Sequence, residues 1–213
     1  SLLIDFFLKI NFSFKKKNLI YFLFIFLIIL YFLLSISPIT SGDSVAYHLS
    51  TAKYIVENGK FPSTFYDSTN SLGGAGEFLS AFALSIKAFQ FTSIINFVGT
   101  ISIIGVIKKF SENLNLDDEN KVFLYLCILS CPVLIFLTST SKSQLFSTSL
   151  IFFSYAILFL SINNNFKSTQ LRKNFIICNI FCVVAVQTKI SFSLSFFLII
   201  VSFLFINRKR SRL

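Results

Sequence analysis

Uninterrupted apolar runs, most of them bordered by clusters of charge, repeat along the whole chain. Six of them, Asn18–Ser37, Ala88–Ile107, Val122–Ser141, Ser143–Ile162, Asn174–Thr188 and Ile190–Asn207, match or approach the length needed to cross a membrane. A hydrocarbon layer of about 30 Å takes about 20 helical residues. The runs do not alternate apolar and polar positions as the strands of a spanning barrel do, so helices are the reading. The pattern predicts an all-α fold, a polytopic transmembrane helical bundle that forms one membrane domain over residues 1–213. Pro132 breaks the third run after Cys131, because proline offers no N–H and its ring clashes with the preceding turn.

Between the first two runs lies a long polar loop, residues 38–87, opened by Pro38. Within it, Val45, Leu49, Ala52 and Val56 recur at helical spacing, and Gly59 follows as a C-cap. The spacing predicts an amphipathic helix over Ser44–Asn58 lying along the membrane surface. Leu72–Gly76 reads as a glycine-rich hinge, lacking the lysine and strand context of a phosphate loop. Glu77–Lys87 is apolar but short and carries a charge at each end. Burying each charge at mid-membrane would cost about 2.5–3.5 kcal/mol, so a juxtamembrane helix dipping into the interface is expected.

Composition sharpens this picture. The chain is 54% hydrophobic with 30 Phe, above the about 45–50% apolar content of soluble domains. Its net charge of +10 would suit nucleic acid, but the basic residues sit in short clusters beside apolar runs, the pattern of membrane orientation. Nucleic acid is therefore not an expected partner; membrane lipid is. With the N-terminus inside, the inner segments hold Lys9, Lys15, Lys16, Lys17, Lys108, Lys109, Lys121, Lys167, Arg172, Lys173, Arg208, Lys209, Arg210 and Arg212, 14 of the 19 basic residues. Lys53, Lys60, Lys87, Lys142 and Lys189 remain outside. A seventh span at Glu77–Lys87 would put Lys108 and Lys109 outside and invert everything after them. The expectation is six spans with both termini cytoplasmic, in the inner membrane of a prokaryote.

The first run is longer than the about 7–15 apolar residues of a signal peptide, so it is read as an anchored helix. The chain begins at Ser1 and contains no Met, which points to a portion of a longer protein. Cys127/Cys131 and Cys178/Cys182 each share a helix face at i,i+4 inside a predicted span, where thiols serve as small packing residues.

This topology collects three polar groups at the outer face: Asp43, Tyr47 and His48 after the first span; Ser141, Lys142, Ser143 and Gln144 in the tight turn before the fourth; and Gln187, Thr188 and Lys189 before the sixth. Lys142 and Lys189 stand against the charge rule in turns with few other polar residues, and snorkelling anchors are the plain alternative. Asp43 is placed to cap the Ser44 helix, or to act as a general base or bind a divalent metal. No cofactor is assigned. No zinc-protease, serine-hydrolase or nucleotide-binding motif is present in the sequence.

Asp43-Ser44-Val45-Ala46-Tyr47-His48-Leu49, then Ala52-Lys53-Tyr54 and Asn58-Gly59-Lys60-Phe61-Pro62, resembles the first outer loop of GT-C-type membrane glycosyltransferases of the protein O-mannosyltransferase-like and aminoarabinose-transferase-like kind. Glu77-Phe78-Leu79 resembles the Glu-led juxtamembrane helix of that group. The resemblance implies transfer of a sugar from a polyprenyl-phosphate donor to an extracytoplasmic acceptor, with Asp43 as the catalytic residue that activates the acceptor. It leaves Tyr47, His48, Lys142, Gln144 and Lys189 as substrate-binding candidates, Lys142 or Lys189 meeting the leaving phosphate. Many members carry an Asp before the fourth span, where this chain has Lys142-Ser143-Gln144, and they have further spans and an outer C-terminal domain. The alternatives from other classes are a non-enzymatic polytopic protein, either a lipid-carrier transporter or an assembly subunit, and a truncated chain without activity.

Overall fold

The computed structural model describes residues 17–62, 74–163 and 168–210. Lys9, Lys15, Lys16, Asp67, Leu72, Gly73, Lys167 and Arg212 lie outside the described residues. Every element among the described residues is helical: α1 (Lys17–Ile36), a π-helical turn (Ser44–Leu49) running into α2 (Ser50–Asn58), α3 (Ala75–Ser85), α4 (Phe91–Asn113), α5 (Asp118–Leu129), α6 (Pro132–Thr138), α7 (Gln144–Asn163), α8 (Ser168–Thr188) and, after a 3-10 turn (Ile190–Phe192), α9 (Ser193–Arg210). The all-α membrane fold read from the sequence is present. By length and composition four helices can cross a membrane, or five if α5 and α6, bent by 64° at their junction, form one broken span.

Helix boundaries depart from hydropathy boundaries. α4 runs on through Lys108 and Lys109 to Asn113, and α5 begins at Asp118, capped by Asp117, whose carboxylate accepts the Asn120 N–H at 2.9 Å. The polar stretch between the second and third apolar runs thus shrinks to a loop at 114–117. Likewise α8 starts at Ser168 and carries Arg172 and Lys173, which the sequence reading left in a loop. Charge marks where apolar surroundings end, whereas backbone hydrogen bonding lets a helix continue past that point. The expected sixth span is a shorter apolar stretch, Ile190–Phe205.

α1 buries one stripe, Phe24, Ile28, Tyr31 and Ser35, and exposes large apolar groups such as Phe22, Phe26, Ile29 and Leu33 around the rest of its surface. Water would not tolerate that surface on a folded monomer; lipid or further helices would. The buried stripe packs with Ile104 of α4 and with Val122, Tyr125 and Leu129 of α5.

Pro132 breaks the helix as expected, and the break has a specific repair. The Leu129 carbonyl lies at the end of α5, where intrahelical partners run out. Tyr31 Oη donates to it across the bundle at 2.6 Å. At the far end of α6, Asn96 Nδ2 of α4 donates to the carbonyls of Leu137 (3.2 Å), Thr140 (3.1 Å) and Lys142 (2.5 Å), and Ser93 Oγ donates to Thr140 O at 3.2 Å. In apolar surroundings every backbone group must find such an internal partner.

α7 and α8 meet along a seam of small residues. Ser147, Ser154 and Ser161 recur every seven residues on α7 and face Thr188, Cys178 and Asn174 of α8 through hydrogen bonds; Ser154 Oγ, for example, donates to Cys178 O at 3.2 Å. Cys178 and Cys182 are free and buried in this seam, so this pair has the packing role expected for it. Gly99 serves the same close approach between α4 and α7: a Cβ there would stand 2.7 Å from the Leu145 carbonyl.

The Tyr31–Leu129 contact can be tested on its own. Tyr31→Phe keeps the ring and orphans a buried carbonyl, which costs about 1–3 kcal/mol. Thermal unfolding in detergent should show a lowered midpoint. An unchanged midpoint would mean that the carbonyl has another partner.

Candidate functional site

The amphipathic helix expected from Ser44 to Asn58 forms, but its first part is π-helical and only part of the expected face is buried. Thr51, Ala52 and Ile55 are buried, whereas Val45 and Val56 are exposed. The wider π turn shifts the face by part of a turn. Ala52 and Ile55 pack on Ala81 of α3, so α2 lies against α3 and does not stand alone on a surface. Gly59 ends the helix with φ +66°, the left-handed conformation expected of a C-cap.

The same π turn aims the polar residues. In an α-helix, positions five apart diverge; with i→i+5 bonding they stack, which brings Asp43 and His48 to one side. Asp43 does not cap the helix: its backbone is already helical, and its side chain makes no capping bond. Its carboxylate instead accepts a hydrogen bond from the Lys142 ammonium, Oδ2 to Nζ 2.7 Å, across 99 residues of chain. Asp43 is exposed (76%) and Lys142 largely covered (15%), with its ammonium 5.9 Å from the centre of the Phe136 ring. The hydrogen bond from Lys142, its charge, and more weakly the nearby His48 hold the Asp43 carboxyl below the usual carboxylate range.

Backbone contacts fix this pairing. The Ser141 N–H donates to Ser44 Oγ at 3.2 Å, both residues being buried, and Ser41 Oγ donates to Ser44 Oγ. The Asn96 bond to the Lys142 carbonyl secures the other side of the turn.

A second hydrogen-bonded pair lies close by. His48 Nδ1 is 2.7 Å from Glu77 Oε1. Glu77 is 5% exposed, and its other oxygen, Oε2, accepts the Gly74 N–H at 2.6 Å, closing the start of α3 as a capping box does. Tyr47 packs its ring beside the imidazole, centroids 4.6 Å apart. Glu77, which the sequence reading left as the start of a juxtamembrane helix, joins this cluster through His48. The available signal was a lone acid opening an apolar helix, three residues after a glycine.

The third predicted group joins through backbone. A Cβ on Gly74 would stand 2.6 Å from the Gln187 carbonyl, and one on Gly76 would collide with Ser143 Oγ. Glycine at both places lets the start of α3 seat against the end of α8 and the start of α7. Ser147 Oγ and Thr188 Oγ1 share a hydrogen bond there. Gln144 is half-buried as the first residue of α7. Lys189 is exposed, and its ammonium has no carboxylate partner among the described residues. Asp43, Tyr47, His48 and Lys142 are therefore together; Gln144 and Lys189 flank them on adjoining segments. Among the described residues no three His, Cys, Asp or Glu side chains gather as a metal site, and Asp43 faces an ammonium, so the acids here do not fit a divalent ion.

The Asp43 shift sets a pH window. A carboxyl lowered in the folded state favours folding above its ordinary value of 3.8 and loses that contribution as pH falls through the folded value. The stability difference between wild type and Asp43→Asn should thus stay constant from pH 7 to 5 and close only in stronger acid. Thermal unfolding across that range reads it, and closure already between pH 7 and 5 would exclude the pairing.

The sequence matches the family described as the DUF1420 N-terminal domain over residues 2–211, so the chain belongs to that family. No curated protein and no solved structure matches it.

Proposed function

We propose that this member of the DUF1420 N-terminal domain family is a membrane domain of a GT-C-like glycosyltransferase, acting on a sugar carried by polyprenyl phosphate. The observation that carries the reading is the Asp43–Lys142 pair set beside the His48–Glu77 pair at one end of the bundle. A lysine at the junction of polar turn and apolar helices suits a phosphate joined to a polyprenyl tail: the ammonium meets the anion while the Phe136 side meets hydrocarbon. Exposed Asp43 holds that ammonium in position and can yield it to an incoming phosphate. In the transfer, the acceptor oxygen bonds to the anomeric carbon, and the bond from that carbon to the phosphate oxygen breaks. Lys142, or Lys189 just after the end of α8, stabilises the charge that develops on the leaving phosphate.

In this reading the bundle has six spans and lies in the cytoplasmic membrane of a prokaryote, with both termini inside and the site outside. The helix directions support one alternation: α4 ends, α5 begins and α8 begins at the end rich in Lys108, Lys109, Lys121, Arg172 and Lys173. A second reading, a non-enzymatic lipid-carrier protein or assembly subunit, is favoured by one fact, that the Lys142 charge already has a partner in Asp43.

Two measurements test the reading, the first of them against the alternative. For the purified protein in nanodiscs, Lys142→Gln should weaken binding of a polyprenyl phosphate about 10- to 150-fold, the worth of one charged hydrogen bond at about 1.5–3 kcal/mol. It should leave the weak binding of the matching polyprenol unchanged. Equal affinity of wild type and variant would end the phosphate role; phosphate binding without sugar turnover would favour the carrier reading. For topology, single cysteines at Lys53 and Asn115 in a background lacking the four native cysteines should react with an impermeant thiol reagent only at position 53. Reaction at 115 alone would invert the arrangement.

A further inference from the structure

The site holds two carboxylates and one imidazole, and their hydrogen bonds divide the proton-transfer work between them. Asp43 lies under the Lys142 ammonium, which makes it a poor proton acceptor. Glu77 is buried with both oxygens engaged, Oε1 by His48 and Oε2 by the Gly74 N–H, so its place is fixed and it has no face left for substrate. An ionised carboxylate only accepts hydrogen bonds, so the short contact to Glu77 requires the proton of His48 on Nδ1. The neutral imidazole then carries its lone pair on Nε2, which has no hydrogen-bond partner among the described residues, and the side chain retains 19% exposure. Asp43, whose carboxylate meets the Lys142 ammonium, stands at the start of the same π turn that carries this imidazole.

We infer that His48, held in its Nδ1–H tautomer by Glu77, is the proton acceptor of this site and takes its proton from a hydroxyl-bearing acceptor. The inference rests on the transferase reading and deepens it. As the acceptor oxygen attacks the anomeric carbon, its proton passes to Nε2, and the carbon–oxygen bond to the phosphate breaks with its electron pair leaving on the polyprenyl phosphate. The imidazolium then returns its proton to that phosphate or to water. Glu77 is a positioning residue: it sets the tautomer and offsets the positive charge that His48 gains. The charged groups around the imidazole are Glu77 from α3, Lys142 from the α6–α7 turn and Asp43 from its own turn.

His48 is the only histidine in the chain, which makes the test direct. With 15N-histidine incorporated into the full chain in nanodiscs, the ring nitrogen shifts should report a proton on Nδ1. Glu77→Gln should reverse the tautomer. The amide oxygen can keep the Gly74 N–H while its NH2 donates to Nδ1, so the cap survives the change. A wild type protonated on Nε2, or a Glu77→Gln variant with the wild-type tautomer, overturns the inference. The rate readout uses a panel of polyprenyl-phosphate pentoses and hexoses, following release of polyprenyl phosphate. His48→Gln should slow release about 10²- to 10⁴-fold and remove the fall in rate toward acid pH. Release at the wild-type rate with the acid fall intact would exclude His48 as the base and leave the transferase reading standing. A wild type that turns over none of the panel would overturn the transferase reading, and the base with it, even with the Nδ1–H tautomer confirmed.

Discussion

A helix that breaks in apolar surroundings leaves backbone carbonyls that water cannot reach, and the rest of this bundle is arranged around satisfying them. Pro132 forces the break. Tyr31 reaches from α1 to the carbonyl at its near side, and Asn96 and Ser93 reach from α4 to the carbonyls at the far end of α6. These polar residues, buried among apolar neighbours, serve the backbone first. Their second effect is positional: the turn that Asn96 secures is the turn that carries Lys142.

Close packing adds the other half of the geometry. Gly99 lets α4 and α7 approach, the serine seam joins α7 to α8, and Gly74 and Gly76 let α3 settle on the ends of both. Three chain segments are thereby drawn to one end. The first brings an exposed carboxylate and an imidazole, the second a buried carboxylate and the third an ammonium. Their pairing into Asp43–Lys142 and His48–Glu77 gives them distinct duties, since a carboxylate bonded to an ammonium, an imidazole bonded to a carboxylate and a doubly engaged carboxylate differ in what proton traffic they can support.

The sequence by itself determined the all-α membrane class, the break at Pro132, the C-cap at Gly59 and the candidacy of Asp43, His48 and Lys142, because these follow from local chemistry: run length, proline's missing N–H, glycine's left-handed φ, and charge placed against the orientation rule. Periodicity could not reveal the π turn, because one extra residue per turn changes which side chains share a face without changing composition; for the same reason Val45 and Val56 proved exposed. Nor could hydropathy set the helix ends at Asn113, Asp118 and Ser168, which backbone hydrogen bonding extends past the charges. Only the tertiary structure decided that Asp43 pairs with Lys142 instead of capping its own helix, and that Glu77 orients His48. The physical reason is reach: a salt bridge acts over a few ångströms of space, and here 99 residues of chain separate one pair and 29 the other, a distance that nothing local in the sequence encodes.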